Sequence, residues 1–255
     1  MIPAAATSAA VRPDASIRVC VLVWSVVLVL VLAAAGPVVA GEPAPKVHEH
    51  AEPVVLAPGY ADLEFTAPQP GSYRLPPLGN APDGRVLDEQ GRVLSLHDLM
   101  GEGVVLLSFI YTTCSDVNGC PLATHVFNRV ASTLAASRDL DGRVRLLSLS
   151  FDPDHDTPAV MRAYGAPYQR GGVDWRFLTT SGRGDLDPIL DGYDQWVIRD
   201  VDAEGNPLGT ISHLLRVYLI DASRSIRNIY SVSYLHADTI ESDVRTLLQE
   251  AAAGD

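Results

Sequence analysis

Two thiols, Cys114 and Cys120, stand with five residues between them in this 255-residue chain, and an imidazole far downstream, His213, could join them. A thiolate is both a nucleophile and a soft metal ligand. A pair at this separation is therefore able either to form and break a disulfide or to share one metal ion, and spacing alone does not choose. Soft sulfur donors select Cu(I), zinc or iron–sulfur clusters. Two sulfurs plus one imidazole suit three-coordinate Cu(I), and an added oxygen ligand would admit Cu(II). Structural zinc wants four protein ligands, and the absence of a second cysteine pair disfavours it. The third cysteine, Cys20, lies in an N-terminal apolar run, away from the pair.

The elements that must position these groups can be read from periodicity. Residues 104–111, VVLLSFIY, form an apolar, β-rich run of the kind buried in a central strand. Pro121 and then Leu122, Val126, Phe127, Val130 and Leu134 predict a helix over 121–137 with one apolar face. Proline suits a first helical turn, so Cys120 is expected at or beside the N-cap, where free N–H groups and the helix dipole favour a thiolate. Residues 144–151 read as a second strand, completing a β-α-β crossover. Asp152-Pro153-Asp154-His155-Asp156-Thr157-Pro158 follows, with Asp156 or Thr157 placed to cap a helix that Pro158 begins.

Upstream, 85–88 and 93–96 flank a turn at 89–91 and predict a hairpin. Downstream come a strand at 175–178, a short helix opened by Asp187-Pro188, and a long segment over 195–212 with a turn at Gly205-Asn206-Pro207. An antiparallel hairpin over 214–221 and 226–232 and an amphipathic helix from about Asp238 close the chain. This order predicts an α/β thioredoxin-like fold with an N-terminal hairpin extension and an insertion before the C-terminal hairpin. Such a fold carries His213, at a strand start, over the cysteines, which makes it the first choice of third ligand. His125, inside the helix, and His155, in the Asp-Pro loop, are near-site alternatives; His97 and His236 look peripheral.

Arg12 and Arg18 precede an apolar stretch over 19–35, and Val38-Val39-Ala40 offers small residues for cleavage. Residues 1–40 thus read as a signal peptide, or as an uncleaved N-terminal membrane anchor, since about 17 apolar residues is the lower limit for a span. Either reading exports the domain, to the periplasm or the extracytoplasmic face of the inner membrane. Residues 41–70 read as a Pro/Ala-rich linker, mobile or loosely wrapped, whose His48 and His50 are solvated, and 71–255 as the folded domain. A net charge of −12 without any evident basic face excludes nucleic acid and favours a cation or a basic or neutral protein as partner.

Four motifs in this order, the 104–114 run ending in Cys114, Cys120-Pro121-Leu122, the 150–158 stretch SFDPDHDTP, and His213 ahead of Tyr218-Leu219-Ile220-Asp221, give the chain a family resemblance. It resembles the Sco/SenC family of copper-binding thioredoxin-fold proteins, which assist assembly of the dinuclear copper centre of cytochrome c oxidase, over about residues 73–232. The resemblance implies a metallochaperone rather than an enzyme. It implies copper, Cu(I) or Cu(II), on Cys114, Cys120 and His213, with the cysteines also able to cycle between dithiol and disulfide. The implied partners are a copper-accepting oxidase subunit or other exported cuproprotein, and a thiol reductant protein. Asp152 and Asp156 match the family's acidic motif and are expected to shape the loop and cap the helix rather than bind metal.

Two departures stand out. The family usually has three residues between its cysteines; here Ser115-Asp116-Val117-Asn118-Gly119 is expected to add a flexible turn and loosen the site. The family's His often follows an Asp, whereas Ser212 precedes His213, removing a carboxylate that would orient the ring; Asp116 is one candidate replacement. A thiol-disulfide oxidoreductase acting on partner-protein cysteines through Cys114 and Cys120 is the competing function, and a binding module with a structural disulfide the third.

Overall fold

Ahead of the apolar run at 104–111 the described residues make short pairings. A computed structural model describes residues 57–169 and 172–254; the segment 1–40 and the tether histidines His48 and His50 lie outside the described residues. Gly79–Asn80 (β1) is an edge strand, and Arg85–Leu87 (β2) pairs antiparallel with Val93–Ser95 (β3) as the expected hairpin. Its turn is closed by Asp88, a buried side chain that accepts the backbone N–H groups of Gln90 and Arg92, each at 2.9 Å.

Val104–Ile110 (β4) buries all seven of its side chains. A strand without a wet face belongs inside a covered sheet. The helix Cys120–Ala136 (α1) and the strand Val144–Ser150 (β5) complete the β-α-β unit, with β5 parallel to β4 in the register Leu107↔Leu147. Pro158–Gly165 (α2) starts where expected, capped by Thr157, whose side chain accepts from Val160 N. Trp175–Leu178 (β6) adds a third parallel strand. After Arg183–Gly192 (α3), the strands Val197–Val201 (β7) and Pro207–His213 (β8) form a two-stranded sheet of their own. Arg216–Ile220 (β9), Ser225–Ser231 (β10) and Ala237–Gly254 (α4) make the antiparallel closing unit.

The main sheet has the order β1-β10-β9-β4-β5-β6. Its parallel and antiparallel halves meet where β4 pairs with β9, Leu107 opposite Tyr218. This is the thioredoxin-like sandwich that the order of elements predicts. Helix α1 turns Leu122, Val126, Phe127, Val130 and Leu134 inward, all buried, and packs against α4. Among the described residues no helix is long and apolar enough to cross a membrane.

Three local expectations change. Helix α3 begins at Arg183, ahead of Asp187, so Pro188 lies inside it. Its missing N–H frees the carbonyl of Gly184, an exposed residue whose carbonyl water can satisfy. His213 ends β8, the second strand of the inserted hairpin, and does not open the next strand. That hairpin turns on Asp202, which accepts from Asn206 N at 2.7 Å, and on Gly205 at φ +86°, a conformation suited to glycine.

Finally, part of the segment expected to be a loose arm is packed. Pro58–Tyr60 forms a 3-10 turn on α1, and Tyr60 stacks on His125 with ring centroids 4.7 Å apart. Gly59 sits so close beneath it that an added Cβ would lie 2.3 Å from the Leu235 carbonyl oxygen.

Candidate metal centre

The loop after β4 is held from below by the Asp-Pro motif. Asp156, fully buried, accepts Thr112 N–H at 3.0 Å, the Thr112 hydroxyl, and Ser150 Oγ at 2.6 Å. One carboxylate thus ties the chain just before Cys114 to the end of β5. The five-residue spacer folds back on itself: Asp116 accepts Asn118 N–H on its side chain (3.0 Å) and Gly119 N–H on its carbonyl (2.9 Å). The turn expected to be flexible is therefore closed by its own polar groups. Asn118 Oδ1 also accepts Ala57 N–H at 3.2 Å, which couples the packed arm to the spacer.

Cys120 is the first residue of α1 and is buried, Cys114 is half-buried, and both are free thiols. The expectation that the helix-start sulfur would be the thiolate is reversed. The Cys120 thiol hydrogen-bonds to Cys114, which, with burial and the neighbouring negative sulfur, drives Cys120 well above the ordinary thiol range. That same hydrogen bond, helped by the backbone N–H groups of Cys120 and Asp116 and by the Tyr111 hydroxyl, lowers Cys114 to about 5 against the pull of burial. Two touching thiols share a single proton, and the more solvent-accessible sulfur gives its proton up. Tyr111 is itself pushed up to about 12, by burial first and by its hydrogen bond to Cys114 next.

His213 reaches this pair from across the fold. Its Nδ1 lies 3.2 Å from the Ile211 carbonyl, and since a carbonyl only accepts, Nδ1 is the donor in that contact and Nε2 is the ring nitrogen turned to the thiols. Nε2 lies 3.7 Å from Cys120 Sγ. Phe151 and Tyr111 flank the ring, with centroids 4.8 and 5.9 Å away. The orienting role expected of a carboxylate falls to the Ile211 carbonyl, while Ser212 turns its hydroxyl to Asp200 at 2.9 Å. The Asp116 carboxylate is engaged within its own turn.

The hairpin that carries His213 is tied to the Asp-Pro loop by an ion pair that sequence reasoning missed. Arg199 on β7 donates to Asp152 Oδ1 at 2.9 Å and to the Phe151 carbonyl at 3.4 Å, latching the β7–β8 hairpin onto the Asp-Pro loop. The one signal for it was a lone cation in an insertion opposite an acidic motif. Neither near-site alternative joins the pair: His125 and His155 are both exposed, and His125 faces Tyr60. His97 and His236 bond to the Ala81 and Ala61 carbonyls instead.

The donors fit a soft ion by type, two sulfurs and an imidazole nitrogen. Among the described residues no three His, Cys, Asp or Glu side chains stand close enough together to hold a metal ion. The trio is assembled as two contacts, Cys114 to Cys120 and Cys120 to His213, rather than as a closed triangle. The larger surface clefts are lined by other residues.

A thioredoxin-like sandwich with a dithiol at its strand-to-helix junction, and an imidazole delivered by an inserted hairpin, defines a class of extended thioredoxin-fold proteins equipped for thiol or soft-metal chemistry. The chain belongs to the SCO1/SenC family, whose model matches residues 82–249. The SCO1 protein homolog of Bacillus subtilis (strain 168) is 27% identical over 160 residues, which cover 62% of this chain and 78% of that protein. Among solved structures, Arabidopsis thaliana ScoI with copper bound has a TM-score of 0.54 at 17% identity, covering 67% of this chain and 98% of that one. BsSco, described as having a disulfide switch and as a member of the Sco family of cytochrome c oxidase assembly proteins, has a TM-score of 0.53 at 25% identity, covering 68% and 96%.

Proposed function

We propose that the protein is an exported copper-binding metallochaperone, with Cys114, Cys120 and His213 as ligands, serving assembly of the copper centre of cytochrome c oxidase. The observation that carries this reading is the approach of His213 Nε2 to Cys120 Sγ at 3.7 Å across 93 residues of sequence, beside a second free thiol. Membership of a family with copper-bound members and a stated link to oxidase assembly supports it. Copper is the cargo. The thiols supply two soft donors, and the Ile211 carbonyl keeps the imidazole Nε2 turned toward them. The N-terminal apolar stretch supports export, to the periplasm or the outer face of the inner membrane.

Anaerobic titration of the reduced protein with Cu(I) against a competing chelator tests the reading. One equivalent binds tightly, His213→Ala weakens it, and Cys114→Ser weakens it further; affinity unmoved by His213→Ala would sink the three-ligand site.

A second reading, a thiol-disulfide oxidoreductase acting on partner cysteines, is favoured by one observation: a half-exposed, proton-poor Cys114 over a buried Cys120. Cys114 would attack a partner disulfide, and Cys120 would then displace the partner's thiol, leaving the Cys114–Cys120 disulfide and a reduced partner. The reduction potential of the pair separates the readings. Equilibration with protein dithiols near the thioredoxin range supports the second, and no exchange rules it out.

A further inference from the structure

One cleft breaks the local rules of its own helix. Helix α3 ends in a groove of ≈ 490 Å³ bordered by Arg183, Asp187, Asp191, Asp194, Gln195 and Trp196. The C-terminal end of a helix is the negative pole of its dipole and favours Lys or Arg; α3 has no basic residue in its last turn and carries Asp191 there instead, with Asp194 just past its end. Asp187 is offset by Arg183 at 3.1 Å and Asp194 by Arg216 at 3.3 Å, whereas Asp191, exposed, has no ion-pair partner among the described residues. Violations of this kind concentrate at functional sites.

Two further features point to what the groove receives. Gln195 is 3% exposed, and its Nε2 donates to the Leu214 carbonyl at 2.8 Å. Because that carbonyl can only accept, the amide cannot be turned round, and Oε1 is left buried with no partner. Trp196 is 72% exposed, a high value for the largest side chain, and its Nε1 is tied to Asp194 Oδ1 at 2.7 Å, which fixes the ring at the groove edge. An unpaired carboxylate, an unpaired amide oxygen and a fixed aromatic face together match a planar cation that stacks on an indole while donating several hydrogen bonds. The acidic groups are too dispersed to enclose a metal ion.

We propose that this groove receives the guanidinium of an arginine side chain on a partner protein. The net charge of −12 favours a basic partner surface in the same sense. The site lies beside the hairpin that carries His213, since Leu214, which Gln195 holds, is the next residue. Docking there would set a partner against the dithiol without using any of its donors.

Tryptophan fluorescence of the full chain tests this, with Trp196→Phe supplying the background from Trp24 and Trp175. N-acetyl-arginine amide should quench saturably, N-acetyl-citrulline amide, neutral and nearly isosteric, should not, and Trp196→Phe should remove the response. Asp191→Asn, at an exposed position and checked for folding by circular dichroism, should weaken binding roughly tenfold, the size of one charge-assisted hydrogen bond. Equal quenching by the citrulline compound, an unchanged Asp191→Asn, or no saturable response overturns the proposal. Saturation by calcium chloride at constant ionic strength overturns it in favour of a metal site. The readout needs neither copper nor reduced thiols, so its failure and that of the copper reading are separate results.

Discussion

Removing the latch between Arg199 and Asp152 should weaken copper binding without unfolding the protein. The pair is 2.9 Å long, and its side chains are 34% and 14% exposed. A charge-assisted hydrogen bond contributes about 1.5–3 kcal/mol when buried, and an exposed ion pair about 0.2–1 kcal/mol; the intermediate exposure here places the latch at about 1–1.4 kcal/mol. The β7–β8 hairpin is a sheet of its own, so that energy holds one flap closed and not the main core. If only the closed flap presents His213, Arg199→Met lowers Cu(I) affinity by up to about five- to tenfold, the full value being reached when the unlatched flap is mostly open, and shifts the thermal midpoint by only a few degrees. A chelator competition titration measures the first and calorimetry the second. Asp152→Asn should act in the same direction, and the double variant should be no worse than Arg199→Met, because Arg199→Met already removes both the bond to Asp152 and the bond to the Phe151 carbonyl. Wild-type affinity in Arg199→Met, or losses that add in the double variant, would refute the latch.

Other consequences can be checked alongside. Asp156→Ala strips partners from Thr112 N–H and two hydroxyls at a fully buried position, and should cost about 2–4 kcal/mol in urea unfolding while speeding alkylation of Cys114; unchanged stability would remove Asp156 as the support of the loop. Cys114 lies at about 5, so it is a thiol below that pH and a thiolate above it. Its iodoacetamide rate should climb as pH rises through about 5 and then stay level to neutrality, and a midpoint near the ordinary thiol value would show that Cys120 does not share its proton. Gly59→Ala places a methyl against the Leu235 carbonyl and the Leu122 side chain, and should destabilise by about 1–3 kcal/mol and open the 57–61 turn to proteolysis; an unaffected protein would mean the turn does not rest on α1.

The shallow setting of Cys114, above the buried Cys120, bears on function. Clefts that enclose small molecules are concave and deep, whereas Cys114 is half-exposed and the larger clefts lie elsewhere. A thiol presented at the surface suits exchange with another protein's ligands or thiols, which is common to both functional readings. The Tyr111 and Phe151 rings matter in the same way. They wall one side of His213, limiting the directions from which a partner can approach it.

Much of this protein was determined locally. The fully apolar run over Val104–Ile110, the spacing of Leu122, Val126, Phe127, Val130 and Leu134, and Thr157 ahead of Pro158 each act within a few residues, so the sequence by itself settled the β-α-β unit, the caps and the position of the dithiol at a strand-to-helix junction. It also named His213, through the order of motifs. Long-range contacts decided the rest. Arg199 meets Asp152 across 47 residues, and the carbonyl that orients His213 is backbone, invisible to any reading of side-chain types. Which cysteine is the thiolate depended on depth: the helix start favoured Cys120, but tertiary packing buried it and left Cys114 half-exposed, so the shared proton stays on Cys120. Periodicity and capping are properties of neighbouring residues, whereas burial and the meeting of distant donors exist only once the sheet has closed.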